Sequence, residues 1–520
     1  MTPEPLATRL VDELRLTKDM RVLEPSFGSG NFLIPLIRRF VALHSGSKAE
    51  RLRKALTQNV FGVELDPEMY ATALARIADE FGDLPSEKNL ANTDFFRAEY
   101  FDGFFDVVIG NPPFGGTFDP DIEDLLDRRF GRWNGHKLKK ETYSFFIAKS
   151  LDILATDGDL VFITSDTFLT IRTMSGLRQK LLDLCEVTVE TMEVFSDETT
   201  QPTLVLRGKR SGRAEGVSIN GSFIERTSVE LTGNFSWKID TEWERYFRGS
   251  TLGEYIVASS GMTVGRNELF VREIVDGSKI VEPYVFEFFD DPITVVRELE
   301  RARLNKMSPS AVAKVAKQEA AGETRRNLRI VEQKNGPIEV QLPHPDYRYY
   351  NKSQSGVIYR PPTHAIFWKD DGDAVLTFKK NGNWYLHGVG GRPYFGREGL
   401  TWQLVASKLN MRYLPSGFIL DSGAPCAFLR DGVDEAELYF ILAWTLTDLA
   451  TDILKAVINH TRNIQSKDVE RLPYPFWVEA DKKRKATKLA RSLVERALAG
   501  ETFTRTSTEI VSLNALFRWD

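Results

Sequence analysis

From Arg21 to about Arg210, short apolar, β-branched runs alternate with stretches whose apolar residues recur at helical spacing, the texture of an α/β sheet. RVLEPSF, NVFGVEL, LANTDFF, FDVVIGN, DLVFITS, VTVETMEVF and PTLVLRGK read as strands. IPLIRRFVAL, PEMYATALARIADEF, ETYSFFIAKSLDILA and SGLRQKLLDLC between them read as helices. The last two strands follow one another through Asp197 to Pro202 with no helix between, so the expected sheet is mostly parallel and ends in an antiparallel hairpin.

After about residue 208 the periodicity lapses into GKRSGRAEGVSING, rich in Gly, Ser and charge, and then resumes with a different texture. This predicts a sheet domain over 1–212, a linker over 213–235 and a second domain over 236–520. The second domain mixes short runs such as HAIFWKD and NWYLHGVGG with a charged helical stretch from about Asp291 to Arg329, and reads as α+β. A long helix from about Val433 to Ile458 and another from Glu479 to Leu498 close it.

Composition narrows the class. With 42% hydrophobic and 27% charged residues in 520, the whole chain is expected to fold. Cys185 and Cys426 stand far apart, which excludes a disulfide framework and a cysteine zinc site, and the six histidines show no ligand spacing, so no metal is expected. Glu4, Asp12 and Glu13 interrupt the opening stretch where a signal peptide would be apolar, and Asp448 and Asp452 break the most apolar run below the roughly 18 residues of a membrane span. A cytoplasmic protein with no membrane partner is expected. The net charge of −5 leaves a polyanion partner open, since such binding depends on where Lys and Arg cluster.

Three motifs carry chemistry. LEPSFGSGNF, Leu23 to Phe32, takes a strand into a helix through Gly28 and Gly30, where a backbone can approach a ligand closely. Alone it is equally a structural turn, and it lacks the lysine and spacing of a phosphate loop. VELD, Val63 to Asp66, ends the next strand on Glu64, placed to accept from the two hydroxyls of a ribose, while Asp66 suits the cap of the helix opened by Pro67. Asp94 and Phe95 in NTDFF could reach an adenine amino group and cover its ring. The third motif is the most specific: FDVVIGNPPFGG runs an apolar strand into Asn111-Pro112-Pro113-Phe114. Two prolines stop the strand, supply no N–H donors and stiffen the turn, so that Asn111 Oδ1 and the Pro112 carbonyl form an acceptor site for a planar amine, with Phe114 as a stacking face.

In this order the motifs resemble the S-adenosylmethionine-dependent amino-methyltransferases of DNA, and most closely the gamma class, the TaqI-like adenine methylases of restriction–modification systems. The resemblance implies a class I, Rossmann-like methyltransferase domain with a mostly parallel seven-stranded sheet and terminal antiparallel hairpin, followed by an α+β target-recognition domain. It implies S-adenosylmethionine bound by Thr2, Glu24, Ser26, Gly28, Gly30, Glu64, Leu65, Asp94, Phe95 and Phe146. It also implies catalysis at Asn111, Pro112, Pro113 and Phe114, and stacking of an extruded base on Phe114 and Phe195. The expected reaction is methylation of adenine N6 in double-stranded DNA, with a separately encoded restriction endonuclease as a partner. Cytosine N4, RNA or protein glutamine as substrate, and a non-catalytic DNA-recognition subunit, are the competing readings; the long stretch 236–520 favours DNA.

Other features carry less. Cys426, in GAPCAF, is expected to be a small buried residue and not a nucleophile. Glu332-Gln333-Lys334 matches half a nuclease signature without a partner motif, and a fused nuclease is not expected. Arg128, Arg129, Arg132, His136, Lys137, Lys139 and Lys140 follow the acceptor turn and either form a solvated face or grip phosphates. A second basic group, Arg301, Arg303, Lys306, Lys314, Lys317, Arg325, Arg326 and Arg329, is expected in the charged helical stretch.

Overall fold

The computed structural model describes residues 2–115, 118–192, 202–235, 241–291, 325–377, 379–380, 383–384 and 389–519. Two compact units emerge: Met1–Phe247 joined by Ala456–His460, and Arg248–Lys455 joined by Thr461–Asp520.

In the first unit the expected strands form: β1 (Val22–Glu24), β2 (Val60–Glu64), β3 (Leu90–Asn92), β4 (Phe105–Gly110), then β7 (Leu154–Ser165), β8 (Glu186–Met192) and β9 (Thr203–Lys209). A small hairpin, β5 (Arg132–Trp133) and β6 (His136–Lys137), stands apart from them. β1 to β4 and β7 pair in parallel, and β9 lies between β7 and β8, antiparallel to both. Alternation sets the two faces: Leu160 and Phe162 enter one core with Leu23 and Val108, while Val161 and Ile163 enter the other with Val22 and Val107.

The sheet has nine strands where seven were expected. Its order is β11-β10-β8-β9-β7-β4-β1-β2-β3, and the two additions are β10 (Gly216–Ile219) and β11 (Ser222–Glu225). They occupy the stretch 213–235, along with helix α8 (Arg226–Thr232). The turn between them, Asn220-Gly221, has both φ angles positive, 49° and 81°, the conformation that lets two strands reverse in two residues.

Helices cover both faces: α1 (Glu4–Asp12), α2 (Leu33–Leu43), α3 (Lys48–Lys54), α4 (Pro67–Phe81), α5 (Pro120–Phe130), α6 (Thr142–Ile153) and α7 (Ser175–Leu184). Asp66 caps α4 by accepting from Glu68 N and Met69 N, with Pro67 at the first position, and Gly82 ends it at φ +97°. The short segment Ala456–His460 joins this unit through Asn234 Nδ2, which donates to the carbonyls of Val457 and Ile458 at 2.6 and 3.0 Å. His460 Nε2 lies 2.7 Å from Asp166 Oδ2, and its Nδ1 lies 2.8 Å from Thr170 Oγ1.

The second unit is mixed α+β. Ile256–Ser259, Cys426–Leu429, Gly399–Thr401 and Arg412–Leu414 make a four-stranded antiparallel sheet, and a six-stranded sheet runs from Ile338–Gln341 to Phe418–Leu420. The charged stretch departs from the helical expectation: Arg325–Glu332 is a strand paired with Tyr284–Asp291, and Arg301, Arg303, Lys306, Lys314 and Lys317 lie outside the described residues. The long helix expected from Val433 is broken as well. Ala436–Thr445 stops, Thr447 Oγ1 caps a new helix at Ala450 N (3.1 Å), and Asp448–Ile453 passes into a π-turn, Leu454–Ile458. No described helix is long and apolar enough to cross a membrane.

Candidate active site

The strand order reverses on either side of β1, with β2 and β3 to one side and β4 to the other, so the chain ends of β1 and β4 diverge and leave a crevice. A cavity of about 750 Å³ opens there. Ser26, Gly28, Glu64, Leu65, Asp94, Phe95, Asn111, Pro113 and Phe146 line it, residues drawn from four separate strand ends and helix α6. Thr2, Glu24, Gly30, Pro112 and Phe114 are not among the lining residues, and Phe195 lies outside the described residues.

The glycine turn is tied down on both sides. Phe27 N donates to Val63 O at 3.1 Å, and Gly28 N donates to Glu64 Oε2 at 2.7 Å. Glu64 Oε1 accepts from Asp66 N at 2.8 Å, so each carboxylate oxygen holds one backbone N–H and keeps a further lone pair. Gly28 has φ +52°, and a Cβ there would meet nothing within 4 Å: the space a side chain would fill is open. Leu65 is 68% exposed beside it.

Glu24, at the end of β1, is only 2% exposed, and its Oε2 has no hydrogen-bond partner. Burial, reinforced by the Glu64 charge and opposed by the Leu33 N–H, holds its carboxyl well above the usual range.

On the opposite wall, Asp94 Oδ1 accepts from Phe96 N at 2.8 Å and rounds the chain so that Phe95 and Phe96 both meet Phe146, each with ring centroids 4.9 Å apart. Lys149, three residues on from Phe146, is 3% exposed. Its Nζ donates to Phe95 O at 2.5 Å and Ala98 O at 2.6 Å, and stands 4.5 Å from the Phe95 ring centroid. Burial brings this ammonium down to about 8.

The acceptor turn leaves β4 at Gly110. Asn111 Nδ2 donates to Thr2 Oγ1 at 3.0 Å, while Asn111 Oδ1 is buried without a partner. Thr142 Oγ1 donates to Gly115 O at 2.8 Å and fastens the far side of the turn to α6. Phe114 is 38% exposed and meets Tyr143 edge-on at 6.2 Å.

The basic residues that follow are placed differently from one another. α5 begins beside the cavity, where Asp119 and Ile122 line it, but Arg128 and Arg129 lie six or seven residues along, about 10 Å at the helical rise. Lys139 pairs with Glu141 at 2.5 Å and Lys140 with Glu123 at 2.8 Å. Arg132, His136 and Lys137 are exposed on the β5–β6 hairpin, which Trp133 anchors by donating to Asp183 Oδ2 at 2.8 Å. Cys426 is fully buried in the second unit, its thiol pushed up to about 12, as expected of a packing residue. Sequence reasoning missed Asn31, Arg76, Thr142 and Lys149; only Lys149 carried a visible signal, a lone cation inside the apolar helix TYSFFIAKSLDI.

Residues 48–191 match the family described as Eco57I restriction-modification methylase. Among curated proteins the chain is similar to the Type II methyltransferase M.PaeR7I of Pseudomonas aeruginosa, 25% identical over 301 residues, 55% of this chain and 47% of that one. It is also similar to the Type II methyltransferase M.TthHB8I of Thermus thermophilus, 26% identical over 272 residues, 50% of this chain and 53% of that one. The matches thus span about half the length of these relatives. Among solved structures, the Type IIL restriction-modification enzyme MmeI in complex with DNA shares the fold over 99% of this chain and 71% of its own, with a TM-score of 0.56 at 12% identity. The DrdV–DNA complex does so over 95% of this chain and 57% of its own, with a TM-score of 0.54 at 15% identity. The resemblance read from the motifs, to restriction–modification methyltransferases, is the one these comparisons find.

Proposed function

We propose that this chain is a site-specific DNA methyltransferase of the gamma class, which methylates N6 of an adenine extruded from double-stranded DNA in a restriction–modification system. The observation that carries the reading is the Asn111 amide: its Nδ2 is engaged by Thr2, its Oδ1 is buried without a partner, and the residue lines the cavity that the glycine turn and Glu64 also border. The wide cavity, the open space over Gly28 and the Glu64 carboxylate on its wall suit S-adenosylmethionine, whose bound form supplies an electrophilic methyl group on a cationic sulfur.

In this reading Ser26, Gly28 and Gly30 shape the turn against the methionine part, with Thr2 and Glu24 behind it. Glu64 takes the ribose hydroxyls with its remaining lone pairs, and Leu65, Asp94, Phe95 and Phe146 enclose the adenine. Asn111 Oδ1 and the Pro112 carbonyl accept the two hydrogens of the target amine, which directs its lone pair away from them. Pro113 keeps the turn rigid, and Phe114 stacks on the base, with Phe195 as its second face. Extrusion costs a few kcal/mol, offset by aromatic stacking of roughly 1–3 kcal/mol per base. Exposed Arg128, Arg129, Arg132 and Lys137 are available to phosphates, with Lys139 and Lys140 exchanging their carboxylate partners. The second unit, in the stretch 236–520, reads the sequence. A cytoplasmic location and a cognate endonuclease belong to the same reading.

Modification-sensitive sequencing of plasmid DNA from cells expressing the chain, with Asn111→Ala alongside, tests it. N6-methyladenine at one recurring sequence, lost in the variant, is expected. Methylcytosine N4 at such a sequence redirects the base, and unmodified DNA in both overturns the reading.

A further inference from the structure

A hydrogen-bonded chain leads from α4 to the acceptor turn. Arg76 NH1 donates to Asn31 Oδ1 at 2.7 Å and to Ser29 O at 2.6 Å. Asn31 Nδ2 donates to Thr2 O at 2.7 Å, and Thr2 Oγ1 receives Asn111 Nδ2 at 3.0 Å. Each of the first two links can run in one direction only. A guanidinium only donates, so it captures the Asn31 oxygen; the amide nitrogen is thereby turned to Thr2 O, which only accepts. Thr2 is 6% exposed and held through its carbonyl, so its hydroxyl stands at a set place beside Asn111. With Nδ2 taken there, Oδ1 is the atom left without a partner.

We infer that Arg76 is a positioning residue for Asn111, acting through Asn31 and Thr2 to keep the acceptor oxygen of that amide available to the target amine. The inference rests on the methyltransferase reading above. An amide turned over would present a donor to an amine that is itself a donor, so loss of the relay acts on the reacting group; Arg76→Met also releases the Ser29 carbonyl of the glycine turn, whereas Asn31→Asp keeps that contact.

The test uses the full chain with tritiated S-adenosylmethionine and unmethylated genomic DNA for turnover, and calorimetry for cofactor binding. Arg76→Met breaks the first link. Asn31→Asp keeps the Arg76 contact but cannot donate to Thr2 O, and so serves should Arg76→Met fail to fold. Arg76→Lys retains one donor. In Arg76→Met and Asn31→Asp, kcat is expected to fall at least about tenfold, the scale of a small misplacement, with the Kd for S-adenosylmethionine within about threefold and partial recovery in Arg76→Lys. Unchanged kcat in both variants overturns the inference. So does a Kd that rises in step with the lost turnover, because Arg76 would then act through Ser29 on the glycine turn. If Asn111→Ala is inactive while Arg76→Met matches wild type, the relay alone fails; if the wild-type chain transfers no methyl group, the reading fails and the relay with it.

Discussion

Gly28 N donates to Glu64 Oε2 at 2.7 Å, joining the turn after β1 to the end of β2 through one carboxylate oxygen. The same carboxylate holds Asp66 N, so Glu64 sets the separation of two cavity walls as well as presenting its own lone pairs. Replacing Glu64 with Ala should therefore weaken S-adenosylmethionine binding about 10- to 100-fold, the worth of hydrogen bonds to a charged group. Calorimetric titration of the folded variant checks this. An affinity within twofold of wild type would remove Glu64 from the site.

Two glycines in neighbouring strands' reach should respond in opposite ways. Gly28→Ala places a methyl in open space at φ +52°, costing about 1–2 kcal/mol of backbone strain, and should damage ligand affinity more than stability. Gly62→Ala drives a Cβ to 2.8 Å from Phe27 Cδ1 and 2.9 Å from Leu90 Cδ2, and should destabilise by about 1–3 kcal/mol through overpacking. Denaturant melts beside binding isotherms separate the two.

The buried Glu24 carboxyl makes stability depend on pH with a defined sign. Its folded value lies above the ordinary value near 4.5, so the native state holds a proton that the unfolded state has released. The stability associated with that proton is complete below the unfolded value and is lost as pH rises through the folded one. Glu24→Gln, which cannot ionise, should gain in melting temperature relative to wild type from pH about 4.5 upward and then level off. Parallel curves for the two proteins would show that Glu24 ionises in place without cost.

Lys149 supports the Phe95–Ala98 turn from within the core. Lys149→Met leaves the Phe95 and Ala98 carbonyls without their ammonium, at about 1–3 kcal/mol for the buried Phe95 acceptor and less for the half-buried Ala98 one. We expect a lower melting temperature, and S-adenosylmethionine affinity reduced more than that of Lys149→Arg. Because burial depresses this amine to about 8, the wild type should gain stability as pH rises from about 8 toward 10.5, and the Met variant should not.

The strands around the site were legible because β-branched runs such as FDVVIGN are buried on both faces and leave a continuous apolar signal. The lining residues Gly28, Glu64, Asp94 and Asn111 were legible because each ends such a run, and strand ends are where this topology gathers side chains. Arg76 and Asn31 were not. They sit 45 positions apart, and nothing local distinguishes an arginine that reaches back over a turn from one in solvent. The stretch 213–235 was misleading for a different reason. Its Gly, Ser and Asn residues serve the tight reversal at Asn220-Gly221, and composition alone does not separate a hairpin turn from a connecting segment. The helix expected from Val433 failed at Thr447, where a hydroxyl takes the N–H of Ala450 and starts a new helix.

The return of Ala456–His460 to the first unit bears on how the molecule can be taken apart. A fragment ending at Phe247 would lack the carbonyls that Asn234 holds and the imidazole that meets Asp166, so the first unit is not a portable piece with a single cut site. Chimeras that exchange the second unit should splice on both sides of that pentapeptide and carry it with the recipient's own first unit.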